Sequence, residues 1–310
     1  MSQRDFRQRV VAGIEDLHQK TTDLITELDG GGSFREDRWE RDAGGGGLSR
    51  LLVEGTAFEK AGVNRSTVGG ALPPALAQRI GARPGLENGG FFVTGLSVVV
   101  HPRSPMVPTV HLNVRYFEIT DDAGGVLDAW FGGGTDLTPT YPYPEDAAHF
   151  HRVLKAACDR HHPSFYSRFK TWCDHYFVNT HRSDERRGVG GIFFDHIREG
   201  EAGLGLDQLL GFVTDVGGIL SEAYAPLVRR RRDIPYGDRE RRFQLARRGR
   251  YVEFNLVHDR GTLFGLQTGA RIDSVLMSLP PLAGWGAPPA YPPGSFEAEL
   301  LEMLEPRDWA

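Results

Sequence analysis

The chain is poor in cysteine and has no long apolar stretch. Its 310 residues include only two cysteines, Cys158 and Cys173, and no CxxC pair, which argues against a zinc ribbon or a thiol redox motif. Two thiols in a chain of this length are typical of a reducing compartment. No apolar stretch approaches the ~20 residues of a membrane span, and the charged N-terminus lacks the apolar core of a signal peptide. These absences predict a cytoplasmic protein with no membrane span.

Common nucleotide-binding and hydrolase motifs are also missing. The sequence contains no GxxxxGKS/T, GxGxxG, HExxH or GxSxG motif. Its glycine clusters at 30–32, 44–47 and 132–134 lack the spacing of a phosphate-binding loop. We therefore expect no use of NAD, flavin or ATP.

A basic stretch runs from 229 to 250 and is dominated by arginine. A nucleic-acid site is one interpretation. However, acidic residues interrupt the stretch, no aromatic platform for base stacking is interleaved with the arginines, and the formal net charge of the chain is −5. A solvated helix face or an anion-binding rim explains the arginines better, so no nucleic-acid partner is expected.

The spacing of apolar residues predicts both helices and strands. Helices are expected at 4–28, 145–162, 165–177, 206–228, 239–248 and 296–305. Strands are expected at 91–101, 111–119, 189–197, 250–258, 262–268 and near 272–279. Because the elements do not alternate as βαβ units, the order favours an α+β fold over a doubly wound sheet. No repeat or linker divides the chain, so one domain over 1–310 is predicted.

Two predicted strands carry a polar face. Side chains alternate across a strand with a period of two, so His111, Asn113 and Arg115 share one face of the strand HLNVRYFE. Ser97 and His101 share a face of the preceding strand in the same way. The two strands could line one cavity with these five side chains. The alternative is a face that is simply solvated, as antiparallel sheets often are.

Asp259 and Arg260 stand together at the end of the predicted strand 250–258. Charges next to buried segments are costly to desolvate unless they are paired. Asp259 therefore either meets a partner inside the protein or accepts hydrogen bonds from a ligand with several N–H donors. A buried Asp–Arg pair with a purely structural role is the alternative.

Eleven histidines raise the question of a metal site. Four of them fall in separate segments, His101, His111, His151 and His181. They show neither an HxH pair nor the spacing of a facial triad. The residue pattern alone therefore does not favour a metal site.

The motifs together resemble the oxygen-dependent coproporphyrinogen III oxidase family. The matching stretches follow in order through nearly the whole chain: REDRWERDAGGGG, FEKAGVN, HPRSPMVPTVHLNVRYFE, WFGGGTDLTPTYPY, HRSDERRGVGGIFFD, GDRERRFQLARRGRYVEFNLVHDRGTLFGLQTGARIDSVLMSLPP and PRDW. So many long matches make a chance resemblance implausible.

The resemblance implies a reaction and a fold. The reaction is oxidative decarboxylation of the ring A and ring B propionates of coproporphyrinogen III to vinyl groups, giving protoporphyrinogen IX in heme biosynthesis. Molecular oxygen would be the co-substrate, a divalent metal cation is an option, and no flavin, NAD or heme is expected. The implied fold is a large flat antiparallel sheet sandwiched between layers of helices, in a homodimer whose interface includes 251–286.

The resemblance also assigns roles to individual residues. It implies that His111 is the proton donor, and we expect Asp259, with Arg260 beside it, to face the pyrrole N–H groups. It places on substrate Ser97, Asn113, Val114, Arg115, Gly269, Ala270 and Arg271. It places on a metal His101, His111, His151 and His181, although His111 cannot easily be both ligand and acid. Three positions depart from the family pattern, Ala270, His196 and His258.

Two further alternatives stay open at this point. The same scaffold could be a non-catalytic tetrapyrrole-binding protein, or a different metal oxygenase that uses the four histidines.

Overall fold

The computed structural model describes residues 3–42, 44–72, 77–78, 89–267, 271–286 and 291–310. The helices are α1 (Gln3–Asp29), α2 (Pro144–Asp159), α3 (Phe165–Tyr176), α4 (Leu206–Gly217), α5 (Leu220–Ala223), α6 (Ala225–Arg231), α7 (Asp238–Val257), α8 (Arg260–Gln267), α9 (Ile272–Val275) and α10 (Phe296–Met303). Short 3-10 helices are Thr180–Arg182, Glu201–Gly203 and Leu276–Ser278. The strands are β1 (Arg35–Glu40), β2 (Gly45–Val53), β3 (Phe58–Ala71), β4 (Gly90–Pro102), β5 (Thr109–Thr120), β6 (Val126–Thr138), β7 (Val178–Asn179), β8 (Glu185–Arg186) and β9 (Gly190–Ile197).

Seven strands form one antiparallel sheet in the order β1-β2-β3-β4-β5-β6-β9. The first six strands follow the chain order, so each pairs with its sequence neighbour. β9 joins the far edge after α2 and α3, and α3 contacts it directly. The expected large antiparallel sheet of an α+β fold is confirmed.

One face of the sheet carries the hydrophobic core. The even-numbered side chains of β5, including Leu112 and Val114, are fully buried, whereas the odd-numbered positions 111–117 are partly accessible. α1 packs on β3 and β4 of the core face, and α4 packs on β5 and β6. Phe6 of α1, for example, meets Tyr116 edge to face with ring centroids 5.5 Å apart. This layer leaves the odd-numbered face of β5 for polar side chains.

Part of the opposite face is covered by residues 271–279 and by α7. Residues 271–279 cross it: Ser274 lies 3.5 Å from Ser49 between the two hydroxyl oxygens, and Met277 fills the space above Gly62. Tyr251 of α7 meets the His101 ring edge to face at 5.2 Å. The sheet therefore lies between helical layers, as the resemblance implied.

The predicted strands at 250–258, 262–268 and 272–279 are wrong. Residues 238–257 form α7, 260–267 form α8, and 272–278 form α9 followed by a 3-10 turn. The buried residues Phe243, Arg247, Tyr251 and Phe254 recur at helical spacing along α7. The apparent alternation of Val252, Phe254 and Leu256 was misleading, since Leu256 is 40% exposed.

Two other helix boundaries differ from the prediction. The segment 206–228 is not one helix but three. Gly217-Gly218 ends α4, and α6 begins at Ala225 with Pro226, which has no backbone N–H to donate, in its first turn. The predicted helix 239–248 is instead the first half of α7. Within the described ranges, no helix is long and apolar enough to cross a membrane.

Candidate active site

A row of polar side chains crosses the accessible face of the sheet. Residues directly opposite each other in antiparallel strands point to the same face. The register aligns one residue from each of the seven strands, of which the first five are polar: Asp37, Ser49, Asn64, Ser97, Asn113, Gly134 and Phe193. We call these seven positions the polar row. It includes two of the predicted substrate residues, Ser97 and Asn113.

His111 and Arg115 flank the polar row on β5, two residues to either side of Asn113. The register places Val99 opposite His111 and Gly95 opposite Arg115. The prediction that Ser97, His111, Asn113 and Arg115 share one face is thus confirmed. His101 belongs to the same face but is fully buried beneath Tyr251, so it does not line an accessible cavity with the others. Val114 points to the core and is fully buried, so only its backbone can face a ligand.

Arg115 has carboxylate and amide partners on the sheet. Its Nη2 lies 2.8 Å from Asp195 Oδ1, and its Nη1 donates to Asn113 Oδ1 at 3.1 Å. A Cβ on Gly132 would lie 2.6 Å from Asp195 Oδ1, so a larger residue there would displace the paired side chains. The Arg115 side chain is 30% exposed and is therefore accessible to an anionic ligand.

His111 is linked to a buried ion pair. Its Nδ1 lies 3.0 Å from Asp136 Oδ1, and Arg187 Nη2 lies 2.6 Å from Asp136 Oδ2. Burial alone would raise the pKa of Asp136, but the charge of Arg187 and the hydrogen bond with His111 outweigh it and lower the pKa. The carboxylate is therefore ionised next to His111.

Asp259 caps a helix at the edge of this face. Its Oδ2 accepts from the Thr262 amide at 2.7 Å and from the Thr262 hydroxyl at 2.8 Å, so it acts as the N-cap of α8. Its Oδ1 accepts from the Tyr176 hydroxyl at 2.9 Å. Burial, followed by the charge of Asp259, raises the pKa of Tyr176. Asp259 is thus held by partners of its own chain while remaining partly exposed, and the Arg260 guanidinium lies over the Tyr176 ring at 5.7 Å.

Arg271 marks the other end of the polar row. Its Nη2 pairs with Asp37 on β1 and lies 3.4 Å from Asp273. Two residues predicted to bind substrate with it, Gly269 and Ala270, lie outside the described residues, as does the departure from the family pattern at Ala270. Arg271 and Arg115 are therefore placed near β1 and on β5, with uncharged polar residues between them.

A sequence profile of the coproporphyrinogen III oxidase family matches residues 9–309. The chain belongs to this family. It is also 45% identical over 315 residues to a Glycine max protein named oxygen-dependent coproporphyrinogen-III oxidase, chloroplastic, in an alignment that covers 99% of this chain and 80% of that relative. The resemblance predicted from the motifs is confirmed. The name of the relative gives a chloroplast location, and the cytoplasmic location of this chain stays a prediction.

The family resemblance assigned four histidines to a metal, but in this chain their side chains are not arranged to bind one metal ion together. Both ring nitrogens of His101 have protein partners, Thr109 Oγ1 at 3.4 Å and the Ser278 carbonyl at 2.8 Å. Both nitrogens of His151 are engaged as well, by the Tyr166 hydroxyl and the Val189 carbonyl, each at 3.0 Å. Across the part of the chain that the structure describes, no group of three or more His, Cys, Asp or Glu side chains is arranged to hold a metal ion.

His181 and His258 meet each other at the surface. His181 Nδ1 lies 2.7 Å from His258 Nε2, and His181 Nε2 lies 3.1 Å from Glu253 Oε2. The departure from the family pattern at His258 thus supplies a partner for His181. The other departure, His196, stacks on Trp130 with ring centroids 4.9 Å apart and adopts a left-handed φ of 53°, beside Asp195.

Three residues of this site were not predicted from the sequence: Asp136, Arg187 and Asp195. Asp136 had a usable signal, as the only charged residue in the run 129–139. Arg187 lies in the connection from β8 to β9, where no periodic pattern indicates what a side chain contacts.

Proposed function

We propose that this chain catalyses the oxygen-dependent oxidative decarboxylation of the ring A and ring B propionates of coproporphyrinogen III, giving protoporphyrinogen IX. Membership of the family supports the reaction class, and the name of the soybean relative supports the use of oxygen. The geometric support is the polar row between Arg271 and Arg115. Guanidinium groups bind carboxylates in bidentate pairs, so a substrate with four carboxylates on a macrocycle suits two separated arginines.

The uncharged members of the row would orient the macrocycle. Asn64, Ser97 and Asn113 offer hydroxyl and amide groups on three adjacent strands. Asp259 would accept hydrogen bonds from the pyrrole N–H groups and stabilise positive charge that develops on the macrocycle. To do so it would exchange the Tyr176 or Thr262 partner that it has in the free protein. Arg260, next in the chain, would pair with a further carboxylate.

The stoichiometry of the reaction requires a proton donor. Each propionate loses carbon dioxide from its carboxylate and one hydrogen from the carbon next to the ring, which leaves a vinyl group. Oxygen accepts the two electrons and, with that hydrogen and one added proton, becomes hydrogen peroxide. His111 would supply the added proton, because it is partly exposed on the accessible face of the sheet. No step is assigned to a metal, since the four candidate histidines do not fit one.

An anaerobic assay tests the proposal directly. Purified protein is given coproporphyrinogen III with and without oxygen, and carbon dioxide and vinyl products are measured. We expect turnover only with oxygen. Unchanged turnover without oxygen contradicts the proposal, and tight porphyrin binding with no carbon dioxide release indicates a non-catalytic tetrapyrrole-binding protein instead.

We also propose that the chain forms a homodimer through 251–286. Of the eleven exposed large hydrophobic residues in the described part of the chain, six fall in this segment: Leu256, Val257, Leu266, Ile272, Leu282 and Trp285. Exposed apolar residues grouped in this way mark interaction surfaces. Because Asp259 and Arg271 belong to the same segment, dimer formation would bring the partner subunit close to the site.

A further inference from the structure

The strongest feature that the proposed function does not use is the buried pair Asp136–Arg187. Asp136 lies directly opposite His111 in the β5–β6 register, with its side chain 2% exposed against 22% for His111. The His111 ring also meets Phe177 edge to face, with centroids 6.3 Å apart. The histidine is thus confined between a carboxylate and an aromatic ring.

Arg187 holds the carboxylate in place. It is itself 2% exposed and binds Asp136 Oδ2 through Nη2, which leaves Oδ1 for His111. Its guanidinium carbon lies 4.0 Å from the Phe177 ring centroid and 4.5 Å from that of Tyr251, a cation–π arrangement that fixes the arginine. Each carboxylate oxygen therefore has its own partner, and Asp136 cannot rotate without losing one of them.

The same arginine ties this cluster to the helical layer over the sheet. Arg187 Nη1 donates to Asn255 Oδ1 at 2.9 Å, and Asn255 Nδ2 donates to the Ser278 hydroxyl at 3.1 Å. Asn255 belongs to α7 and Ser278 to the segment that begins at Arg271. The position of Asp136 thus depends on α7 and on the segment that includes Ser278 as well as on its own strand.

We propose that Asp136, clamped by Arg187, is a positioning residue that fixes the ring orientation and tautomer of His111. An ionised carboxylate can only accept a hydrogen bond, so His111 must carry its hydrogen on Nδ1. The other nitrogen, Nε2, then receives and donates the proton that the reaction consumes. Setting one ring nitrogen through the partner of the other is a general property of histidine sites. This inference rests on the role of His111 in the proposed function.

The competing explanation is that Asp136 and Arg187 only stabilise the fold. A second ion pair, Asp146–Arg231, provides a matched control: its side chains are 4% and 10% exposed, with Arg231 Nε 2.7 Å from Asp146 Oδ2. It joins α2 to α6, away from the polar row. If Asp136–Arg187 is purely structural, breaking it should change stability and activity in the same way as breaking Asp146–Arg231.

The test is a double-mutant cycle with Asp136→Asn and His111→Gln, in which kcat, KM and thermal unfolding are measured for both single variants and the double variant. We expect Asp136→Asn to lower kcat by about 10- to 100-fold, the usual effect of losing a residue that orients a functional histidine, with KM nearly unchanged. In the His111→Gln background the same change should have no further effect on kcat, because the residue it positions is gone. Asp146→Asn should reduce thermal stability and leave kcat unchanged.

Nitrogen NMR of the 15N-histidine-labelled protein provides a readout that does not depend on turnover, with His111→Gln used to assign the His111 signals. The wild type should show hydrogen on Nδ1, and Asp136→Asn should shift the population toward hydrogen on Nε2, because the asparagine amide can donate to Nδ1. A neutral His111 ring with its hydrogen on Nε2 in the wild type overturns the inference. An equal loss of kcat from Asp136→Asn in both backgrounds also overturns it, as does full activity of His111→Gln. Failure of the proposed reaction is seen separately in the wild type, either as no release of carbon dioxide or as turnover without oxygen.

Discussion

Tyr176 lies flat on Phe193, with ring centroids 4.3 Å apart and planes 9° from parallel. Phe193 ends the polar row on β9, and the Tyr176 hydroxyl donates to Asp259. This stack is what brings an acid from the α7–α8 junction to the edge of the sheet. It also means that Asp259 has two tasks, capping α8 and presenting a negative charge to the accessible face.

The two tasks of Asp259 can be separated by substitution. Asp259→Ser keeps an oxygen that can cap α8 but removes the charge, so we expect it to keep its stability and to lose activity by about 100-fold. Asp259→Ala should lose a similar activity and, in addition, about 1 kcal/mol of unfolding free energy. Turnover and urea unfolding of both variants provide the check. Near-normal turnover of Asp259→Ser would remove the carboxylate from the mechanism.

Arg115 should act mainly on substrate affinity. Arg115→Ala removes a charge-assisted carboxylate contact of about 1.5–3 kcal/mol, which predicts a 10- to 100-fold rise in KM. Arg115→Lys keeps the charge but not the planar fork, so its KM should fall between those of wild type and Arg115→Ala. Arg160→Ala, which breaks the surface pair with Asp215, is the control and should leave KM unchanged. A KM for Arg115→Ala equal to that of wild type contradicts the assignment.

Metal removal should not affect turnover. The ring nitrogens of His101 and His151 already have protein partners, so a chelator has no four-histidine site to empty. We expect metal analysis of the purified protein to show much less than one equivalent, and chelation to leave kcat intact. Stoichiometric metal together with loss of activity on chelation would contradict this and favour a metal oxygenase.

His18 should make the fold sensitive to mild acid. Burial, then the charges of Arg50 and Arg65, lower its pKa from 6.5 to about 4. In the unfolded chain the pKa returns to about 6.5, so the unfolded state binds more protons between the two values. The stability due to neutral His18 is therefore complete above pH 6.5 and is lost as the pH falls toward 4, by on the order of 2 kcal/mol.

Urea unfolding at several pH values measures this effect. The free energy of unfolding of the wild type should fall between pH 6.5 and 4, and His18→Gln should show a shallower decline over the same interval. Identical pH dependence of the two proteins would show that His18 does not contribute.

The apolar residues of 251–286 should control assembly. Val257→Glu and Leu282→Glu place charges on side chains that are 53% and 57% exposed, so they should produce monomers without unfolding the subunit. Leu127→Glu, at a side chain 54% exposed outside this segment, is the control and should not change assembly. Light scattering after size-exclusion chromatography gives the mass. A monomeric wild type, or dimers of all three variants, would contradict the proposed interface.

The periodicity of β5 could be read from the sequence because its two faces meet different surroundings. One face is buried against α1 and α4 and the other is partly accessible, so apolar and polar residues alternate. That contrast predicted where His111, Asn113 and Arg115 would lie. It could not predict Asp136–Arg187, because a pair 51 residues apart in sequence leaves no local pattern.

The second half of α7 was predicted as a strand because its sequence pattern does not show which residues are buried. Its buried face includes Arg247 and Arg248 as well as aromatic residues. Glu185 pairs with Arg247 and Glu59 pairs with Arg248, with the latter pair 2.5 Å apart. Distant carboxylates make these arginines acceptable in the interior, but an arginine pair gives no apolar signal that the helix continues past 248. In 251–256, apolar Val252, Phe254 and Leu256 alternate with other residues, as in a strand.

The polar row takes one residue from every strand of the main sheet, which limits how the gene can change by insertion or deletion. Removing one residue from the middle of β4 would turn the following side chains over, sending Ser97 toward the core and a neighbouring valine toward the substrate. The same slip would disrupt folding and binding together, so no single-residue deletion there can alter specificity while sparing stability. Length variation that preserves function should therefore be confined to the connections between strands.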